Sequence, residues 1–224
     1  MWVGYLDFLV ILAAFLVGSI PFSYLVARWR TGLDIRERGE GSVGARNVYH
    51  VVGPVWGVFA ALLDIAKGLA VYMLASFAVR RLGVSMTALL VCGFAAPLGH
   101  NFSPFLHFRG GKGVATALGF LVGYLPYSTL AGGVVALITY LLTHDMNKVF
   151  VTGITIAVLL PPLFGAPLWA VPYAACLFIL LALKKVLDAH HEREVWERDP
   201  WQKGRPGFRP ESAEEDHPTE AGKR

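Results

Sequence analysis

The sequence predicts an all-α integral membrane protein, a bundle of about seven transmembrane helices with the N-terminus outside and the C-terminus in the cytoplasm. Three observations predict it. Only 16% of the 224 residues are charged while 55% are hydrophobic, against about 25% charged in soluble domains. The apolar residues gather into runs of membrane-spanning length, and mean hydropathy is +0.52. Basic residues collect on alternate connections between those runs.

Seven apolar segments follow one another: 3–27, 53–79, 84–104, 113–128, 129–143, 149–166 and 168–187. Lipid offers no hydrogen bonds to a backbone, so each is expected to be helical. The first lacks a basic leading region and continues past about 20 residues, so it reads as a span and not as a removable signal peptide. The second holds Asp64 and Lys67, three apart on one helix face, where a charged residue needs a partner. The third ends at the polar stretch that begins Gly99-His100. Only Tyr124-Leu125-Pro126-Tyr127-Ser128 and Gly132-Gly133 suggest a break between the short fourth and fifth segments. Gly165-Ala166-Pro167 turns the chain between the last two, with Trp169 as an interfacial anchor.

Charge asymmetry orients the bundle. With the N-terminus outside, the inside carries Arg28, Arg30, Arg36, Arg38, Arg46, Arg109, Lys112, Lys148, Lys184, Lys185, Arg193, Arg198 and Lys203, and the outside only Arg80 and Arg81. Thirteen against two is a strong positive-inside pattern. The membrane domain is expected over 1–203, and the Pro-, Gly- and charge-rich residues 204–224 as a disordered cytoplasmic tail. The net charge of +4 is explained by this topology and by anionic lipid or substrate, with no nucleic acid implied. Cys92 and Cys176 lie inside apolar runs and read as small buried hydrophobes. Neither a disulfide framework nor a zinc spacing is present, and no metal or organic cofactor is expected.

The polar, glycine-rich stretches all fall on the inner side. In 32–47, Gly39, Gly41 and Gly44 alternate with polar residues including Ser42, a pattern that lets backbone N–H groups turn toward an anion. Arg36, Arg38 and Arg46 add fixed positive charge there, with Asn47 closing the stretch. In 99–116, Gly110-Gly111-Lys112-Gly113 immediately precedes an apolar helix, whose unpaired N–H groups and dipole suit an anion, with a lysine to reach a phosphate. The residue after Lys112 is glycine and not Ser or Thr, so this is no nucleotide-hydrolysing loop. His100 and His107 are candidates for hydrogen-bonding or acid/base roles, their spacing of seven having no special metal logic. His190, just past the last membrane segment beside Arg193, is the catalytic candidate for a proton-handling or orienting role. Clustering at one face, away from the midplane, argues against a transporter.

These residues resemble the bacterial acyl-phosphate:glycerol-3-phosphate acyltransferase family, small seven-helix inner-membrane enzymes, over about residues 10–197. The stretch GHNFSPFLHFRGGKGVATALG follows the family's G-H-x-x-x-x-F-x-x-F-x-G-G-K-G-V-A-T pattern, and Gly18-Ser19 and Asp64-x-x-Lys67-Gly68 match as well. The resemblance implies acyl transfer from a membrane-dissolved acyl phosphate to glycerol 3-phosphate or a related phosphorylated acceptor, giving lysophosphatidic acid and inorganic phosphate. It implies Lys112, with Gly110, Gly111 and Gly113, as the holder of phosphate. Arg36, Asn47 and His190 would position the acceptor, supported by Gly39, Gly41, Ser42, Gly44, Arg46, His100 and Arg193. The first loop departs from the family's Gly-Ser-Gly-Asn-x-Gly-Ala-Thr-Asn, having Glu40, Ser42 and Arg46 at the three altered places, and His50 where many members carry arginine. Near the end the family's Arg-His-x-x-Asn becomes Ala189-His190-His191-Glu192-Arg193, so the acceptor side is expected to be rebuilt, with Arg46 and Arg193 offsetting Glu40.

Overall fold

A computed structural model describes residues 4–198. The expected tail at 204–224 lies outside the described residues. Within them the chain forms helices and turns without a strand: α1 (Tyr5–Gly18), α2 (Phe22–Thr31), α3 (Ala45–Val51), α4 (Pro54–Leu82), α5 (Met86–Asn101), α6 (Val114–Tyr124), α7 (Pro126–Thr143), α8 (Met146–Leu159) and α9 (Ala170–Arg198). Five stretches are long and apolar enough to cross a membrane: Tyr5–Thr31, Pro54–Leu82, Met86–Leu106, Pro126–Thr143 and Ala170–Arg198. Two shorter apolar helices, α6 and α8, accompany them.

The segment expected at 3–27 is not one helix. Pro21 has no N–H to donate, and the chain breaks between Gly18 and Phe22. A break inside lipid exposes carbonyls that need donors. Two side chains from elsewhere supply them: Ser103 Oγ donates to the Ser19 carbonyl at 2.6 Å and Lys67 Nζ to the Ile20 carbonyl at 2.8 Å. The boundary expected between 128 and 129 falls instead at Leu125, because Pro126 cannot continue α6 and starts α7. Cys92 is buried as expected, but Cys176 is exposed on α9, where an apolar thiol faces lipid as readily as core.

Helices meet through glycines. A β-carbon on Gly68 of α4 would stand 2.0 Å from the Thr116 carbonyl of α6, and one on Gly119 of α6 would stand 2.0 Å from the Ile65 carbonyl of α4. Such backbone contact replaces the hydrophobic driving force that lipid does not provide between helices. Phe120 fills the junction of α1, α4 and α5 with Ala14, Val71, Ala75, Leu89 and Cys92. Leu121 and Leu125 pack α6 on Ala170, Leu177 and Leu181 of α9. Large apolar side chains such as Leu62, Met73, Leu141 and Ile179 remain exposed on the outside of the bundle, a surface suited to acyl chains.

The α6–α7 and α8–α9 turns lie together and line a cavity of about 290 Å³ between Tyr124–Ser128 and Phe164–Pro167. From that end α6 rises only 11 residues, about 16 Å at 1.5 Å per residue. The hydrocarbon layer is about 30 Å thick. α6 by itself is therefore only about half as long as that layer is thick.

Candidate active site

Asn47 builds the first loop. Its side chain is fully buried. Nδ2 donates to the carbonyls of Ile35, Arg38 and Ser42, each at 2.9 Å, and Oδ1 accepts from the Glu40 N–H at 2.8 Å. One amide thus holds the whole turn from 35 to 42. Gly39 and Gly41 sit at φ 57° and 63°, a left-handed conformation that L side chains avoid. The Gly41 N–H donates to the Arg38 carbonyl at 3.0 Å. The N–H groups of Glu40 and Gly41, expected to cradle an anion, are therefore used within the loop, and Asn47 acts through the loop instead of offering its amide to a ligand.

Arg36 ties this loop to the second. Its guanidinium grips the Asp34 carboxylate, with Nη2 at 2.6 Å, reaches the Leu106 carbonyl through Nη1 at 3.3 Å, and covers the Tyr24 ring. The guanidinium hydrogen bond holds the Asp34 carboxyl below the usual carboxylate range against the upward push of partial burial, and the same bond raises Arg36. Glu40 is nine-tenths hidden at its side chain, and its Oε1 lies 2.9 Å from Arg46 Nε and 3.4 Å from His50 Nε2. Arg46 offsets Glu40 as expected, and His50 joins it.

The second loop closes back on α5. The Gly110 and Gly111 N–H groups donate to the carbonyls of Asn101 and His100, both at 3.1 Å. A β-carbon at Gly110 would fall 1.9 Å from the His100 carbonyl, and one at Gly111 would fall 2.3 Å from His100 Nε2 and 2.8 Å from the Val43 carbonyl. Those glycines exist for close packing, and their N–H groups are spoken for, which corrects the expectation that they face an anion. The donors left for one are the first turn of α6, begun by Gly113 at φ 73°, and the Lys112 ammonium. Lys112 Nζ lies 2.9 Å from both carboxylate oxygens of Glu192.

Beneath the loops lies a buried polar cluster. Lys67 and Asp64, each 1% exposed at the side chain, pair at 2.8 Å. Ser23 Oγ donates to Asp64 Oδ2 at 2.7 Å, and His100 Nδ1 stands 2.8 Å from Lys67 Nζ. Ion pairs this dry are costly unless every donor and acceptor is matched.

α9 seals the site with one stripe. Leu181, Lys184 and Val195 are buried, and Asp188 and Glu192 share their face at helical spacing. Lys184 pairs with Asp188 and lies over the Phe102 ring at 5.3 Å. Val195 seats on Gly41, where a β-carbon would fall 2.9 Å from it. His190 and Arg193 occupy the other face: His190 is 88% exposed at its side chain beside Glu194, and Arg193 is 79% exposed beside Glu197. The structure thus brings together Arg36, Gly39, Gly41, Ser42, Gly44, Arg46, Asn47, His100, Gly110, Gly111, Lys112 and Gly113, and leaves His190 and Arg193 outside. Sequence reasoning missed Ser23, Val43, Asp188 and Val195 in these surroundings and gave Lys184 and Glu192 no part in the site. The three-and-four spacing from 181 to 195 was the signal for the α9 residues.

Residues 8–194 match the family model described as glycerol-3-phosphate acyltransferase. The chain is 37% identical over 195 residues to glycerol-3-phosphate acyltransferase 1 of Deinococcus radiodurans, covering 85% of this chain and 96% of that protein. It is 38% identical over 179 residues to the Geobacter sulfurreducens glycerol-3-phosphate acyltransferase, covering 80% and 87%. Among solved structures, the fold is similar to PlsY (YgiH), an integral membrane glycerol 3-phosphate acyltransferase, in its glycerol 3-phosphate form. The TM-score is 0.70 at 30% identity, covering 85% of this chain and 93% of that one.

Proposed function

This chain belongs to the glycerol-3-phosphate acyltransferase family, and we propose that it makes lysophosphatidic acid by moving an acyl group from an acyl phosphate to glycerol 3-phosphate. It is a multi-pass membrane protein. We place it in the inner membrane with about seven crossings, α6 and α8 completing the five long spans, and with both glycine loops on the cytoplasmic side. The charge asymmetry of the sequence supports that orientation.

One observation carries the reading. Two polar loops far apart in sequence meet at one level of the bundle, joined by Arg36 to Leu106 and by Gly111 against Val43, with Lys112 and the start of α6 at the seam. Two phosphorylated substrates need cationic and N–H donors, and an acyl chain needs lipid beside them. Lys112 and the first turn of α6 hold the acyl phosphate and stabilise charge growing on its carbonyl oxygen. Arg36 and Arg46, on the Asn47-built loop, face the acceptor phosphate. The acceptor hydroxyl oxygen bonds to the acyl carbon, the bond from that carbon to the phosphate oxygen breaks, and the hydroxyl proton leaves on the released phosphate. No step is assigned to His190 or Arg193, which face away from Lys112.

Purified protein in detergent, given palmitoyl phosphate and labelled glycerol 3-phosphate, is expected to release labelled lysophosphatidic acid. Acyl-CoA in place of the acyl phosphate is expected to give none. Lys112→Ala is expected to lower the rate at least about 100-fold; a Lys112→Ala protein with full activity defeats the assignment of the site. Phosphate release without acylated product would point to a different phosphorylated acceptor.

A further inference from the structure

We propose that Lys67, from inside α4, is a positioning residue that fixes the tautomer of His100 so that its Nε2–H is presented at the seam between the two glycine loops. The Lys67 ammonium donates to the Ile20 carbonyl and stands against His100 Nδ1, both at 2.8 Å, while its ion-pair partner Asp64 Oδ1, also at 2.8 Å, lies outside hydrogen-bond geometry. An ammonium can only donate, so Nδ1 must offer its lone pair and the ring proton must sit on Nε2. Asp64 is the competing partner for Nδ1, but it stands 3.6 Å away, beyond hydrogen-bond reach. Its other oxygen is already engaged by Ser23. Lys184 on α9 is the third charged group acting on the ring.

The far side of the ring gives the arrangement its use. Nε2 lies against Gly111 from the second loop, beside the Val43 carbonyl of the first. Among the described residues it has no hydrogen-bond partner. An N–H donor at the meeting of two loops fits a phosphate or carbonyl oxygen of the substrate. The break at Pro21 takes part as well, since the Ile20 carbonyl it frees is the other hydrogen-bond partner that aims the ammonium. For the place of the substrate this inference rests on the proposed function; the tautomer does not depend on it.

The test is nitrogen NMR of the full-length protein labelled with ¹⁵N-histidine, with the His100 signal assigned by its loss in His100→Gln. The wild type is expected to carry its ring proton on Nε2, with Nδ1 as a hydrogen-bonded acceptor. In Lys67→Met the nearest partner of Nδ1 becomes Asp64, and the proton is expected to move to Nδ1 or to occupy both nitrogens. kcat is expected to fall about 10²–10³-fold in His100→Gln, as for loss of one donor to a reacting oxygen. Lys67→Met is expected to fall similarly, and the double variant Lys67→Met/His100→Gln no further. If Lys67→Met does not fold with Asp64 left unpaired, Asp64→Asn/Lys67→Met removes both charges, and the wild-type tautomer still decides. A wild-type proton on Nδ1, or a signal unmoved in a folded Lys67 variant, overturns the proposal. Additive losses in the double variant do so too. An active Lys112→Ala protein with the expected tautomer would instead overturn the site and leave the Lys67–His100 pairing standing.

Discussion

Replacing Asn47 with alanine removes the amide that holds the turn from 35 to 42. Four contacts go at once: three carbonyls at 2.9 Å and one N–H at 2.8 Å. Nδ2 has two hydrogens for three carbonyls, so the loss amounts to about three full bonds, each worth about 1 kcal/mol net. The Glu40 N–H and at least one carbonyl are then left without a partner in a site closed to water, which adds about 1–3 kcal/mol. The total, roughly 4–6 kcal/mol, falls on the loop alone, because Asn47 makes none of the contacts between α4, α5 and α6. A shift of about 4 kcal/mol is about a thousandfold change in the population of the ordered loop. Steady-state kinetics should show kcat/KM for glycerol 3-phosphate reduced at least about 100-fold, with far-ultraviolet circular dichroism unchanged. Asn47→Asp should be no better, since it aims an acceptor oxygen at three carbonyls. An Asn47→Ala enzyme within about threefold of wild type, with residues 32–52 no more open to protease, would refute the reasoning.

Glu192→Gln frees Lys112 from a largely hidden carboxylate, 17% exposed at its side chain, a pair worth about 1 kcal/mol; KM for acyl phosphate should fall about threefold to tenfold, and a rise would mean that Glu192 positions the lysine for substrate. Gly68→Ala forces a methyl group into the Thr116 carbonyl contact. It should lower stability by about 1–3 kcal/mol or more, read as an earlier thermal transition in detergent. The Asp34 carboxyl is depressed by its Arg36 bond, so its support of the loop is fully present above the unfolded value near 4 and disappears only as pH falls through the depressed one. Activity should therefore show no Asp34-dependent change from pH 5 to 8, while Asp34→Asn lowers it across that whole range; a wild-type decline between pH 8 and pH 5 that Asp34→Asn abolishes would contradict this.

Composition and run length made the membrane bundle legible, because lipid leaves a greasy chain few choices. The loop glycines were legible as positions, but their task was not. Close packing and anion binding leave the same letters in a sequence, and only the β-carbon distances at Gly110 and Gly111 tell them apart. Pro21 marked a break that sequence reasoning passed over, since the apolar run continues on both sides of it. His190 was placed by motif resemblance, whereas helical periodicity turns Lys184, Asp188 and Glu192 inward and His190 out. Asn47 is legible as a polar residue closing the glycine loop, but its bonding is not, because a buried amide that serves only backbone cannot be recognised until the backbone around it is known.

The apolar outside of the bundle, where Leu62, Met73, Leu141 and Ile179 stay exposed, bears on how the two substrates would be counted. On the proposed function, a donor anchored by its acyl chain would meet Lys112 without leaving the two-dimensional phase in which it is dissolved. The quantity that sets its rate of encounter is then its mole fraction among lipids, and the volume of surrounding water does not enter. The acceptor, arriving from the aqueous side, obeys ordinary molarity. One active site thus measures its two substrates on two different scales, so growth of membrane area dilutes the donor while leaving the acceptor as it was.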